Sequence, residues 1–495
     1  MSPDATRVAI AFGAYVVLVL CVGIAATRRS SRSPEEYFLA GRKLGTLVLF
    51  MALFGTNATA FVLVGIPGLA YHEGVGVFGL NAAIVALGIP ITFWAIGSPA
   101  RHMALRLGAL TPAELYARRF GNRSVGWLLF AFFTLYTLPY MVTAVGGAAV
   151  TLETTTGLEG VVGGAIVLVV ALVYTSLGGM RATAWTNVLQ GTLFLVFMIA
   201  AFFLIPRSLG GFTEAMEAVR REDPSLLVRG DRPLFQLGAW ASWGMGISLC
   251  VIAFPHMLVR FFTARSDEAL KTISKLYPPA LVALWLPAVL IGVWGAGQFP
   301  GLEGKESDAI LGMMIKEHLP PWLATCGFLA VLAAVMSTLD AQLLTLSSML
   351  TRDVLDVADE ESASADRDVK AGRLFALLVA VVVFLVWRAA GAAIFDLATI
   401  AFSGYVTLVP TLFCGVRWRR FTPTGAWCSI VGGNVVYGAC LLAGGGAAAA
   451  RQPSLFGLLP VFWGFLAAAL LAWIGSVVSR APDAERTRAA FGDAP

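Results

Sequence analysis

A soluble chain of 495 residues divides into about two to four domains, but charged residues make up 13% of this one and apolar residues 58%, against usual shares of about 25% and about 45–50%. So few charges cannot cover a water-soluble globule, and the mean hydropathy of +0.79 agrees. Secreted disulfide scaffolds and disordered chains are excluded on the same grounds, which leaves an all-α polytopic membrane protein.

Thirteen segments approach the roughly 20 apolar residues that a spanning helix needs: 7–27, 46–71, 76–99, 125–152, 160–178, 184–206, 236–262, 275–297, 322–351, 373–390, 393–416, 425–446 and 454–478. The first has no small-residue cleavage site and runs into Arg28-Arg29, so it reads as a retained helix rather than a removed signal peptide. With the N-terminus outside, the inner segments hold 25 of the 35 Lys and Arg, as the positive-inside rule requires. This predicts a multi-pass protein of the plasma membrane, in a bacterium the inner membrane, with its C-terminus cytoplasmic.

The loop 207–235 has helical spacing and carries five acids, while 352–373 reads as a solvated inner linker. The expected organisation is an N-terminal helix and inner loop (1–45), two halves (46–206 and 236–420) joined by the external loop 207–235, and two C-terminal helices with a tail (421–495). No GxxxxGK[ST] is present, so the chain carries no ATPase motif of its own. The six cysteines show no CxxC spacing, and the four histidines are too scattered for a zinc or haem site. With no clustered His, Cys or acid constellation, an enzyme is not expected.

Gly and Pro interrupt two spans. The second reads Phe54-Gly55-Thr56-Asn57-Ala58-Thr59-Ala60 and then Gly65-Ile66-Pro67-Gly68; the seventh reads Trp243-Gly244-Met245-Gly246-Ile247-Ser248 and then Phe254-Pro255-His256. Freed backbone groups are tolerated at membrane depth only where they are buried or line a cavity. Each break opens a set of five spans. Because five is odd, the second set starts from the opposite side: a 5+5 inverted repeat with two broken helices, the pattern of secondary transporters. The ninth span contains Ser337-Thr338-Leu339-Asp340-Ala341-Gln342, with Ser337, Asp340, Leu344 and Ser347 on one face. Hydroxyls there and carbonyls freed in the second span would suit a hard cation such as sodium; the competing reading is that these hydroxyls bond back to their own helix.

Six stretches in order resemble the sodium/solute symporter family, which includes carriers of proline, pantothenate, monocarboxylates, sialic acid and sugars. They are Glu36-Tyr37-Phe38-Leu39-Ala40-Gly41-Arg42, Val64-Gly65-Ile66-Pro67-Gly68, Tyr174-Thr175-Ser176-Leu177-Gly178-Gly179-Met180, Ala184-Trp185-Thr186-Asn187-Val188-Leu189-Gln190, Pro255-His256-Met257-Leu258-Val259-Arg260-Phe261 and Ala334-Val335-Met336-Ser337-Thr338-Leu339. The resemblance implies the leucine-transporter-like fold with 13 transmembrane helices, and Na⁺ as coupling ion with no organic cofactor. It implies a sodium site made by the main-chain oxygens of Gly55, Ala58 and Ala334 and the hydroxyls of Ser337 and Thr338. Proline carriers of this family have an aspartate where this chain has Asn57, and many members have one where it has Asn187, whereas Asp340 stands where Ser or Thr is common. Asp340 with Asn187 is therefore a candidate second cation site, the carboxylate having moved to the opposite wall, or Asp340 carries a proton.

The candidate solute contacts are Asn57, Thr59, Tyr136, Tyr140 and Ser248. Amides at a half-helix N-terminus favour an anionic group, so a small carboxylate or amino acid is expected ahead of a sugar. The spacing from Trp243 to Pro255 argues against proline. His256 reads as a structural cap. The expected partners are a small organic solute and membrane lipid, not nucleic acid; monomer or oligomer is left open. Proton coupling through Asp340 and a solute sensor remain alternatives to sodium symport.

Overall fold

The computed structural model describes residues 3–27, 34–354, 365–389 and 393–492. These form helices α1 (Pro3–Thr27), α2a and α2b (Thr46–Asn57 and Phe61–Glu73), α3 (Gly76–Leu107), α4 (Arg123–Thr156), α5 (Gly160–Val173), α6 (Gly179–Ser208), α7a and α7b (Leu237–Ala253 and Pro255–Phe262), α8 (Asp267–Gln298), α9 (Pro321–Val354), α10 (Ala365–Ala389), α11 (Ile394–Arg417), α12 (Pro423–Ala443), α13 (Pro460–Val478) and a short α14 (Ala484–Phe491). Among the described residues ten helices are long and apolar enough to cross a membrane, and the two bent pairs, each taken as one span, bring the count to twelve. The remaining expected span is α5, apolar but shorter than the others.

Both sequence-predicted breaks are present, with bends of 52° between α2a and α2b and 53° between α7a and α7b. At the first, Ala58 turns extended (φ −83°, ψ 90°), and the Thr59 hydroxyl restarts the helix by accepting the Phe61 N–H at 3.0 Å. At the second, Pro255 forces Phe254 out of the helical region (φ −64°, ψ 121°) and then serves as the first residue of α7b.

Three boundaries differ from expectation. The expected inner loop 179–183 is absent: the helix turns at Gly179 alone (φ 58°, ψ −167°) and resumes at once. A Cβ there would lie 2.8 Å from the Tyr37 carbonyl oxygen, so glycine meets both the backbone angle and the close approach. Likewise α3 continues to Leu107, past the hydrocarbon, where Arg101 pairs with Asp267 at 3.1 Å, and α10 begins at Ala365. Residues 355–364 of the expected linker lie outside the described residues.

The helices sort by burial. In α8, α9 and α11, 72–78% of the most apolar window is buried, against 17–33% in α1, α10, α12 and α13, which places the first group at the centre and the second against lipid. The helix α2a packs on α6, α2b on α8, α7a on α3, and α9 on both α4 and α6.

Segments expected on one side meet one another. Leu44 bridges to Ala264, Arg42 donates to the Ala109 carbonyl at 2.9 Å, Thr111 donates to Asp353 at 2.8 Å, and Arg106 donates to the Phe491 carbonyl at 2.8 Å. On the opposite side Val75 N–H donates to Leu226 O at 2.8 Å, Tyr71 donates to Phe299 O at 2.7 Å, and Arg451 pairs with Asp396 at 3.0 Å.

Candidate functional site

The freed end of α2a lies against the middle of α9. Gly55 permits this, since a Cβ would meet the Asn187 carbonyl of α6 at 3.3 Å. The Ser337 hydroxyl lies 2.8 Å from the carbonyl oxygens of both Gly55 and Ala334. The Thr338 hydroxyl lies 3.2 Å from Thr56 O and 3.1 Å from Ala334 O. Five oxygens, three carbonyl and two hydroxyl, thus converge where a helix has been interrupted. Both hydroxyls and all three carbonyl-bearing residues are fully buried or nearly so. Neutral oxygen donors held out of water suit a hard monovalent cation. Four of the five residues expected at a sodium site, Gly55, Ala334, Ser337 and Thr338, are brought together. Ala58 lies just beyond, at the extended turn, and the Thr56 carbonyl, not foreseen, faces Thr338 in the cluster.

Beside this cluster lies a buried polar chain. With its amide oxygen turned to Arg260, Asn187 accepts from Nη1 at 3.0 Å and Nη2 at 2.9 Å, while its nitrogen donates to Thr183 O at 3.2 Å and Gln190 Oε1 at 3.0 Å. Gln190 in turn donates to the Tyr15 hydroxyl at 2.9 Å, and Tyr15 lies within electrostatic reach of Asp340. Arg260, on α7b, also donates to the Ala52 carbonyl of α2a. A guanidinium therefore holds the amide oxygen of Asn187. Asp340 is fully buried, one turn after Ser337 on α9, which packs against α7b.

The residues expected around the solute separate. Tyr140 is buried among aromatic rings of the second half: Phe254 at 5.1 Å, Phe402 at 4.9 Å and His256 at 6.0 Å. Phe61, two residues past Thr59 and at the head of α2b, reaches the same Phe402 at 4.9 Å. Thr59 is spent on capping α2b, beside Tyr140; Asn57 sits beside Tyr277. Tyr136 points elsewhere, donating to Asn434 Oδ1 of α12 and packing on Gly404. Ser248 is pressed against Gly88 of α3.

His256 belongs to the aromatic group. It is fully buried, its ring stacks on Phe254 at 5.4 Å, and neither ring nitrogen has a hydrogen-bond partner among the described residues. The signal for it and for Arg260 was present in Pro255-His256-…-Arg260, two polar side chains one turn apart in an apolar run. Nothing in the sequence says which helices they face.

Two inverted five-span halves, each opening on a broken helix, with the first break facing paired hydroxyls, define a secondary transporter rather than an enzyme. Residues 37–433 match the model of the Sodium:solute symporter family, and the chain belongs to that family. Among its relatives, the sodium/proline symporter of Salmonella typhimurium is 25% identical over 449 residues, covering 87% of each chain. That of Escherichia coli (strain K12) is 24% identical over 498 residues, covering 97% of this chain and 94% of the relative. Among solved structures, a substrate-bound, outward-open Na⁺-coupled sialic acid symporter superposes with a TM-score of 0.77 at 17% identity, covering 96% of this chain and 98% of that one. A nucleobase-cation-symport-1 family transporter in a closed conformation gives 0.60 at 15% identity, covering 92% and 99%. These likenesses establish the leucine-transporter-like fold.

Proposed function

We propose that the protein is a sodium-coupled symporter that imports a small organic solute bearing a carboxylate, an acid or an amino acid, by alternating access. The observation that carries this reading is the oxygen cluster of Gly55, Thr56, Ala334, Ser337 and Thr338 at the α2 break. A sodium ion there would replace hydroxyl-to-carbonyl bonds with ion–dipole contacts and fasten α2 to α9. Ala58 O is the further ligand that the extended turn frees.

The solute would lie between the two breaks, against Tyr140, Phe254 and Phe402, with His256 offering a ring nitrogen to its carboxylate. Proline and sialic acid, named for two of the relatives, are both carboxylic acids. Asn57 and Thr59 border this space, whereas Tyr136 and Ser248 would act through packing. The arginine-rich side is taken as cytoplasmic, in the plasma membrane, with the N-terminus outside. One charge moving inward gains about 2.3 kcal/mol per 100 mV, and each tenfold ion gradient adds about 1.4 kcal/mol. Together these support accumulation of about several hundred-fold.

The test reads the ion directly. Purified protein should bind ²²Na⁺, and Ser337→Ala/Thr338→Ala should weaken binding about 10- to 100-fold, since a hydrogen-bond-type contact to a charge contributes about 1.5–3 kcal/mol. Unchanged ²²Na⁺ binding in a folded double variant rejects the site.

A second reading concerns Asp340. With the Asn187 oxygen held by Arg260, Asp340 is the acid next to the cluster, and we infer that it carries a second coupling charge, cation or proton. In proteoliposomes, Asp340→Asn should change the number of charges moved per solute and flatten the pH dependence of uptake; identical stoichiometry and pH profile would reject this role.

A further inference from the structure

On the arginine-rich side, α3, α11 and α14 enclose a cavity of about 380 Å³ whose walls include Trp94, Ser98, His102, Arg106, Arg417 and Phe491. Its charged side chains are Arg106 and Arg417, and among the described residues no carboxylate lines it. The acid that pairs with the lining residue His102, Asp267, is engaged with Arg101 at 3.1 Å and with His102 Nε2 at 2.8 Å.

Both arginines are held in place by main chain. Arg417 donates from Nε to Ala95 O at 3.0 Å and from Nη2 to Trp94 O at 2.5 Å, carbonyls carried by the widened turn Phe93–Gly97 of α3. Arg106 uses Nη1 on the carbonyls of Phe491 and Ala490, at 2.8 and 3.4 Å. Among the described residues these partners are neutral carbonyls, which cancel neither positive charge.

The surroundings identify what the cavity would take. On α3, Leu87 and Ile91 are 64% and 65% exposed and share one helix face with Trp94 and Ser98. On α11, Phe413, 43% exposed, lies one turn before Arg417 on the same face. A lipid-facing apolar stripe on α3 and the exposed Phe413 at the end of the otherwise central α11 therefore lead from the hydrocarbon into a cavity with two fixed cations, past an indole at the boundary depth that Trp favours. A soluble anion would need the cations but not the stripe; a detergent-like tail would need the stripe but not the cations.

We propose that this cavity is a binding site for an anionic glycerophospholipid, its phosphodiester between Arg106 and Arg417 and its acyl chains along Leu87, Ile91 and Phe413. Basic pockets between transmembrane helices bind anionic headgroups in this manner. The bound lipid would join α3, which packs on the second broken helix, to α11 and to the C-terminal helix α14.

Native mass spectrometry of the purified full-length protein, titrated separately with phosphatidylglycerol, phosphatidylcholine and inorganic phosphate, tests this. The wild type should retain phosphatidylglycerol in preference to phosphatidylcholine, and millimolar phosphate should not displace it. Arg106→Gln/Arg417→Gln should lose about 10- to 30-fold in phosphatidylglycerol affinity, while Arg106→Lys/Arg417→Lys should keep most of it. Because Arg417 also ties α11 to α3, Ser98→Trp provides a variant that fills the cavity without touching charge, and it should lose the lipid equally. Equal retention of phosphatidylcholine, displacement by phosphate, or unaltered phosphatidylglycerol binding in either Ser98→Trp or Arg106→Gln/Arg417→Gln would overturn the proposal.

Discussion

A hydroxyl has one proton, yet Ser337 and Thr338 each stand within hydrogen-bond distance of two carbonyls, one on their own helix and one across the break. Each can donate to only one at a time, so a carbonyl lone pair in the cluster is always left over, and a cation supplies what it lacks. The two residues are accordingly not equivalent to apolar fillers of the same size. Thr338→Ser keeps the oxygen and should leave the sodium KM of uptake within about twofold, whereas Thr338→Val, isosteric but without the oxygen, should raise it about tenfold or more. A valine variant indistinguishable from wild type in a sodium titration of uptake would deny the hydroxyl any role. His256 allows a complementary separation. If its ring nitrogen meets the solute, His256→Ala should raise the solute KM about tenfold with little change in the sodium KM. A variant in which both constants move together would make the ring a packing element between Phe254 and Tyr140.

Among the elements, the breaks were legible because their cause is local: a proline that expels its predecessor from the helix at Phe254, and a small polar run, Asn57-Ala58-Thr59, that offers side-chain caps. Gly179 was harder. One left-handed glycine and a five-residue loop interrupt hydrophobic periodicity alike, so 179–183 read as a loop where a single residue makes the turn. Gly179→Ala should cost about 1–3 kcal/mol in backbone strain, beyond the clash with Tyr37, and a lowered thermal midpoint checks it. The positions of Arg260, Gln190 and the Thr56 carbonyl were not legible, since their partners lie on helices far away in sequence and local pattern carries no record of which faces meet.

A different element, the short turn Gly304–Ala309 ahead of α9, places Asp308 so that its carboxylate accepts the Ile394 N–H at 3.1 Å and caps the start of α11. Burial pushes its pKa up to about 7; the Ile394 N–H opposes this and the charge of Asp396, itself paired with Arg451, adds to it. The folded protein therefore holds this proton up to about pH 7, while an unfolded chain releases it near pH 4. Its stabilising contribution is complete below pH 4 and is lost as pH rises towards 7. Asp308→Asn should remove that loss, so that on going from pH 5 to pH 8 the variant's thermal midpoint falls less than the wild type's. Parallel pH profiles would mean that Asp308 does not titrate in this window.

For the whole molecule, the proposed ion would be a fastener between α2a and α9, in place of the hydrogen bonds that Ser337 and Thr338 make across the break. Arginines gather on one side and bind the C-terminal helix there, with Arg119 and Arg419 over the Phe491 ring at 4.8 and 5.5 Å. On the other side Tyr71, Arg232 and Arg451 tie loops together. Any ligand that binds only the folded chain stabilises it by mass action, by about 2.7 kcal/mol at a hundredfold excess over its Kd. Sodium should therefore raise the thermal midpoint of the purified protein in a concentration-dependent way that potassium or choline at equal ionic strength does not reproduce. Because the fastener is the oxygen cluster, the shift should vanish in Ser337→Ala/Thr338→Ala while surviving in His256→Ala, which leaves every cluster oxygen in place. A sodium-specific shift that persisted in the double variant would move the ion elsewhere in the bundle. Asp340 would then be the place to look, since it is the fully buried acid nearest the break, and Asp340→Asn should abolish the remaining shift.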